Sequence, residues 1–288
     1  MSKSILFPTD FSACADCAFE YALHLARSMK ARIITLHVYE NLAIAASHMR
    51  NTMAEIVEQN EMEALENFKD VTRLMRQQAD TKGFRDVELT HIMKTGERVV
   101  PTILAAEREE NPDFIVMGTT GAGWLKKLFT GSVASEVMEN AKTPVLSVPE
   151  EVRFDGQIDD IAFATTFTGI DGVALDQVIA LTEPFQARIH CLNVASKITP
   201  EIQATLESWQ DSYAATERVT FTLEQANSVQ DTIIAFLDKN NVDILTTIIH
   251  KRNIIQELFD HSLTKKLSYH LKYPILSFQA RKLQEQLG

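Results

Sequence analysis

The chain has 288 residues, 45% hydrophobic and 23% charged, with only 10 glycines and 8 prolines. That balance excludes disordered, collagen-like and low-complexity chains and leaves room for two ordinary domains. Its 28 basic residues stand against 39 acidic ones, a net charge of −11, and such a surface repels nucleic-acid phosphates and anionic lipid.

In chain order, Ile5–Pro8 begins as a short apolar run and predicts a first strand rather than a signal peptide. Ala13–Lys30 carries an apolar stripe through Cys14, Ala18, Ala22, Leu25 and Met29 at helical spacing, with Ser12 as its N-cap. Arg32–Tyr39 reads as a second strand. Met49–Thr81 is a long charged helix stopped by Lys82-Gly83, and its charges read as a wet face. Val87–Met93 is the third strand, Arg98–Glu110 a helix, Phe114–Met117 the fourth strand, Ser132–Asn140 a helix and Val145–Val148 the fifth strand. Near-continuous apolar strands alternating with helices imply a parallel sheet covered on both faces. No stretch approaches the roughly 18 apolar residues of a membrane span. With three cysteines, too few for a disulfide scaffold, the expectation is a soluble cytoplasmic protein.

The chain also repeats itself. Ile5–Phe11 aligns with Ile161–Phe167, and the same ungapped register sets Ala31–Val38 on Ala187–Val194. A second register sets Asp113–Val116 on Asp243–Thr246, Ser132 on Ser262 and Pro144–Ser147 on Pro274–Ser277. Two copies of one unit follow, 1–150 and 151–288, with the length difference between their second and third strands. Each half is predicted to be an α/β doubly wound five-stranded sandwich of strand order 3-2-1-4-5.

After the fourth strand comes Met117-Gly118-Thr119-Thr120-Gly121, and after nine intervening residues come Gly131-Ser132-Val133. Glycines let main-chain N–H groups approach an anion without a Cβ in the way. A helix opening at Gly131-Ser132 would offer its unpaired N–H groups and positive dipole end to phosphate. In the expected strand order, the loop Pro8-Thr9-Asp10 faces this segment across the crevice where such sheets bind ligands. Asp10 suits a divalent metal or a ribose hydroxyl. The pattern is neither a Walker P-loop nor a Rossmann fingerprint.

On these residues the sequence resembles a tandem universal stress protein, with two of that family's adenine nucleotide alpha-hydrolase-like domains in one chain. Gly118-x-x-Gly121, nine residues and Gly131-Ser132 match the family's ATP-binding signature, and Phe7–Ser12 is similar to its first strand and loop. Thr120 departs from the pattern, standing where ATP-binding members often carry a larger polar or basic residue. The resemblance implies that ATP, AMP or another adenine nucleotide binds, with magnesium at Asp10, the main chain of Val38 at the adenine, and Gly118, Gly121, Gly131, Ser132 and Val133 around ribose and phosphates. It further implies a stress-response regulator and an intramolecular pseudo-dimer in which Val145–Val148 meets Ile275–Phe278, with a homodimer and an unknown protein as further partners. Without an assignable base the chain is expected not to be an enzyme, or to be a slow ATPase at most. The rival classes are an ATPase or adenylating enzyme, and a scaffold that never binds nucleotide.

The second copy lacks the pattern: Gly118 becomes Ile248, Gly121 becomes Lys251, Gly131 becomes His261 and Asp10 becomes Thr166. That half is expected to serve as a structural or regulatory partner. Its His250, His261 and His270 with Asp260 match no strong zinc spacing. Cys14-x-x-Cys17 has the look of a redox pair, but its counterparts Ile170 and Val173 favour packing. Lys126 and Lys127 suit either phosphate neutralisation or a solvated turn, and Trp124 either a cover for the site or packing. Met49, Met53, Met62, Met75, Met93 and Met138 read as core gap-fillers.

Overall fold

A computed structural model describes residues 3–40, 52–119, 132–249 and 273–287. The chain divides into two compact units, Met1–Val137 and Met138–Gly288.

The first unit contains β1 (Ser4–Pro8), α1 (Ala13–Met29), β2 (Arg32–Glu40), α2 (Thr52–Thr81), β3 (Leu89–Gly96), α3 (Val99–Glu110), β4 (Phe114–Gly118) and the start of α4 (Ser132–Asn140). Its strands are parallel and ordered β3-β2-β1-β4, with Pro8 opposite Leu36 and Leu6 opposite Ile115. Every residue of β1 is buried, as a central strand covered on both faces requires. Helix α1 starts where Ser12 Oγ accepts the Ala15 N–H (3.2 Å). It ends at Lys30, whose left-handed φ of 53° lets the Ala31 N–H return to Ala26 O (2.8 Å). Cys14, Ala18, Ala22, Leu25 and Met29 are all buried, so the predicted stripe is the packed face.

Two expectations need correction. Strand β3 begins at Leu89 rather than Val87, because Val87 is buried in a turn and donates its N–H back to Phe84 O (3.2 Å). Met62 on α2 is 61% exposed and fills no core gap, whereas Met75 and Met138 are buried. Met49 lies outside the described residues.

The second unit contains the remainder of α4, β5 (Val145–Val148), β6 (Asp160–Ala164), α5 (Gly169–Thr182) with a 3-10 turn at Glu183–Phe185, β7 (Arg188–Ala195), α6 (Pro200–Ser212), β8 (Val219–Gln225), α7 (Val229–Lys239), β9 (Ile244–Ile249), β10 (Ile275–Gln279) and α8 (Ala280–Leu287). The order β8-β7-β6-β9-β10 is the expected 3-2-1-4-5 and is parallel throughout. On the far side of β10, β5 adds an antiparallel strand, with Leu276 opposite Leu146. The Ser277 hydroxyl seals that pair by donating to Val145 O (3.2 Å).

The repeat is visible bond by bond. Thr9 N–H donates to Leu36 O (2.9 Å) and Thr165 N–H to Leu192 O (3.0 Å). The Asp113 carboxylate accepts the Ser4 N–H (2.8 Å), as Asp243 accepts that of Asp160 (2.9 Å). Phe11 and Phe167 both turn through φ 59°. The length difference is where the repeat placed it, since residues 41–88 join β2 to β3 but only 196–218 join β7 to β8.

Candidate functional site

The carboxyl edge of the first sheet brings together Pro8, Thr9, Asp10, Val38, Met117 and Gly118 among the residues singled out from sequence. Beyond Pro8, the Thr9 hydroxyl accepts the Phe11 N–H (3.0 Å) and Asp10 Oδ1 accepts the Ser12 N–H (3.1 Å). These two bonds fold the loop into a fixed turn and leave the Asp10 side chain exposed at its crest. Val38 lies on β2 two residues past the partner of Pro8, half-buried and opposite Lys94. Met117 is buried at the end of β4 and Gly118 half-buried beside it. Carrying the β1–β4 register forward sets Pro8 level with Met117, so three strand ends meet at one edge. Helix α4 opens at Ser132, and Val133 in its first turn is half-buried. Thr120, Gly121 and Gly131 lie outside the described residues.

Gly118 has a packing reason of its own. A Cβ at this position would come within 2.8 Å of Cys14 Sγ and 3.0 Å of the Cys14 carbonyl carbon. The start of α1 therefore presses onto the end of β4, with the Cys14 thiol buried between them and 4.0 Å from the Thr119 hydroxyl. Cys14 packs α1 against β4, and neither it nor the half-buried Cys17 forms a disulfide among the described residues.

His37 was not anticipated from sequence. Its Nδ1 donates to Thr9 O (2.9 Å), which sets the tautomer, and its ring lies 4.7 Å from that of Phe11 and stacks 6.3 Å from Phe68 of α2. The imidazole thus ties the β1 loop to β2 beside Val38. Within the first turn of α1, burial raises the Asp16 carboxyl above its ordinary value, opposed by the nearby Lys82 charge.

The second unit closes the same edge from within. Asp171 Oδ2 accepts bonds from Thr165 Oγ1 (3.0 Å), Thr166 N–H (2.9 Å), Thr166 Oγ1 (3.1 Å) and Thr168 N–H (3.0 Å). A buried carboxylate therefore occupies the turn that corresponds to Thr9–Ser12. Phe167, Trp209, Tyr213 and Phe221 pack ring against ring beside it, with centroids 5.2–6.3 Å apart. Ile248, in the place of Gly118, is buried.

A profile for the universal stress protein family matches residues 1–149. The chain belongs to the universal stress protein family. A universal stress protein of Methanocaldococcus jannaschii is 28% identical over 149 residues, which is 51% of this chain and 81% of the relative. A second from that organism is 25% identical over 158 residues, 51% of this chain and 95% of the relative. Among solved structures, a universal stress protein from Archaeoglobus fulgidus matches over 97% of both chains with a TM-score of 0.71 at 19% identity, a likeness of fold.

For this universal stress protein several candidates stay outside the described residues: Lys126, Lys127, Trp124, Lys251, His250, His261, His270 and Asp260. Among the described residues no three His, Cys, Asp or Glu side chains converge as metal ligands, and no helix is long and apolar enough to cross a membrane. The described part of the carboxyl edge thus carries one exposed carboxylate, Asp10, and the helix that follows β4 in sequence opens at Ser132.

Proposed function

We propose that the first unit binds an adenine nucleotide, ATP foremost with AMP or another adenine nucleotide as alternatives, and that occupancy alters conformation or partner choice in a stress response. The supporting observation is the gathering of Asp10, Val38 and Gly118 on one strand edge, with α4 opening at Ser132 beyond it. In this reading Asp10 holds ribose hydroxyls or a magnesium ion, and the Val38 main chain meets the adenine. Pro8, Thr9, Met117, Gly118, Thr120, Gly121, Gly131, Ser132 and Val133 enclose ribose and phosphates. The reading assigns no catalytic residue, so the protein acts as a cytoplasmic nucleotide-dependent regulator rather than an enzyme. The two copies form a pseudo-dimer in it, and the second copy binds no nucleotide.

Equilibrium binding of Mg-ATP to the full chain tests it. Gly131→Val is expected to weaken affinity about tenfold or more by placing a branched side chain where phosphate meets main-chain N–H groups. Ile248→Ala in the second unit is expected to leave affinity unchanged. Full affinity in the Gly131→Val protein overturns the site. A second reading, a scaffold without nucleotide, is favoured by the Gly118–Cys14 contact, which explains one signature glycine without any ligand. It predicts no thermal shift with Mg-ATP in the wild-type chain.

A further inference from the structure

The opposite, amino-terminal edge of the first sheet holds a cavity of about 240 Å3 between the end of α1 and the turn before β3, lined by Arg27, Lys30, Ala31, Arg32, Asp86 and Glu88. Arg27 is already engaged: it pairs with Asp86 (2.6 Å) and lies 4.1 Å over the Phe84 ring. Arg32 is not. Its Nε is sequestered from solvent and meets no hydrogen-bond acceptor among the described residues. Lys30 and Glu88 likewise have no ion-pair partner there. A buried donor without an acceptor is costly, and native proteins seldom retain one without a reason.

The second copy shows how the same place is closed. Arg188, the counterpart of Arg32, pairs with Asp160 (2.5 Å), whose counterpart in the first copy is Ser4. Arg218, the counterpart of Glu88, reaches into the position equivalent to the cavity. It donates to Ile179 O (2.6 Å), Thr182 Oγ1 (2.8 Å), Ala187 O (3.1 Å) and Glu183 Oε2 (2.8 Å). The first copy has thus exchanged the carboxylate that satisfies its arginine for a hydroxyl, and the guanidinium that fills the space for Glu88. What remains is an open cavity lined by an arginine whose Nε has no acceptor and a lysine with no ion-pair partner among the described residues.

We propose that this cavity binds a small oxyanion, the phosphate or carboxylate group of a metabolite, held by the Arg32 guanidinium and the Lys30 ammonium. The planar arginine fork suits either group, and lysine adds a point charge. Asp86 is neutralised by Arg27, so Arg32 and Lys30 outweigh Glu88 at the rim. The site is independent of the nucleotide reading, being at the other end of the strands.

The test is titration of the full chain with inorganic phosphate and, separately, succinate at low ionic strength, followed through the main-chain amide resonances of Lys30, Arg32 and Asp86. The wild-type chain is expected to show saturable shifts at these amides. Arg32→Gln is expected to weaken binding about tenfold or more, as loss of a charge-assisted pair requires. Ser4→Asp, which restores the carboxylate found in the second copy, is expected to abolish it. Arg188→Gln is expected to change nothing at these amides, and circular dichroism checks that each variant folds. Preference for phosphate over succinate, or the reverse, identifies the source of the anion. The proposal fails if neither probe shifts the wild-type amides, or if Arg32→Gln and Ser4→Asp bind as the wild type does. It fails equally if only Glu88→Gln binds, since Glu88 would then be closing the site itself.

Discussion

Gly118→Ala separates the two roles that a glycine at the end of β4 can have. The added Cβ would sit 2.8 Å from Cys14 Sγ, 3.0 Å from its carbonyl carbon and 3.1 Å from its carbonyl oxygen. Carbon contacts prefer about 3.5–4.0 Å, so α1 and β4 must part by roughly half an ångström or more. Overpacking on this scale costs about 1–3 kcal/mol, and the lower entropy of the unfolded alanine chain returns about 0.4–1 kcal/mol. A net loss of about 1–2 kcal/mol is expected in urea denaturation of the ligand-free protein. Cys14→Ala removes the thiol but not the two main-chain contacts, so the double mutant should recover only about 0.5–1 kcal/mol, read as a coupling energy. If Gly118→Ala is as stable as the wild type without ligand and only its nucleotide affinity falls, the packing argument is wrong.

Asp171→Ala removes the acceptor of four hydrogen bonds inside the second unit. It is expected to cost about 2–4 kcal/mol in the same assay, and Asp171→Asn less, because buried donors left unpaired lose their solvation as well as their bond. Burial, with the Arg76 charge adding to it, holds the His91 imidazole below its ordinary value of 6.5. The unfolded chain therefore takes up that proton more readily than the folded one, and stability falls as pH drops through 6.5 toward the folded value. His91→Gln should flatten the slope of denaturation midpoint against pH between about pH 7 and 5, and an unchanged slope would show that another group carries it.

What the sequence made legible was whatever rests on local rules. Ser12 caps α1 because a hydroxyl there meets an unpaired N–H, and the Cys14–Met29 stripe is buried because its spacing matches the helix. The internal register placed both copies' strands because an unbroken offset preserves every side-chain face. The start of β3 was missed because Val87 has strand composition but closes a turn at Phe84. Met62 was assigned to a core because hydrophobicity was read without knowing which face of α2 is covered. His37 escaped notice because the carbonyl it binds belongs to Thr9, 28 positions earlier. Asp171 escaped because alignment sets it opposite Ala15, so its reach back to Thr165 has no counterpart to flag it.

The two copies differ in one consistent way at both ends of their sheets. At the carboxyl edge the second copy bends the buried Asp171 into its own turn; in the first the turn is held by the Thr9 hydroxyl, the Asp10 carboxylate and the His37 ring, with Asp10 exposed. At the amino edge the second copy satisfies Arg188 with Asp160, while the first leaves Arg32 beside a cavity. Each time a buried carboxylate stands in the second copy, Asp171 or Asp160, where the aligned residue of the first, Ala15 or Ser4, carries none. A duplicated domain relieved of ligand binding gains stability by satisfying its donors from within, since a side chain is always present at the site. On the two proposals made above, the first copy must keep those positions free of internal acceptors. On that logic the open places in the first unit mark where outside groups enter, and inserting the second copy's carboxylates there, as in Ser4→Asp, should stabilise the fold while abolishing binding.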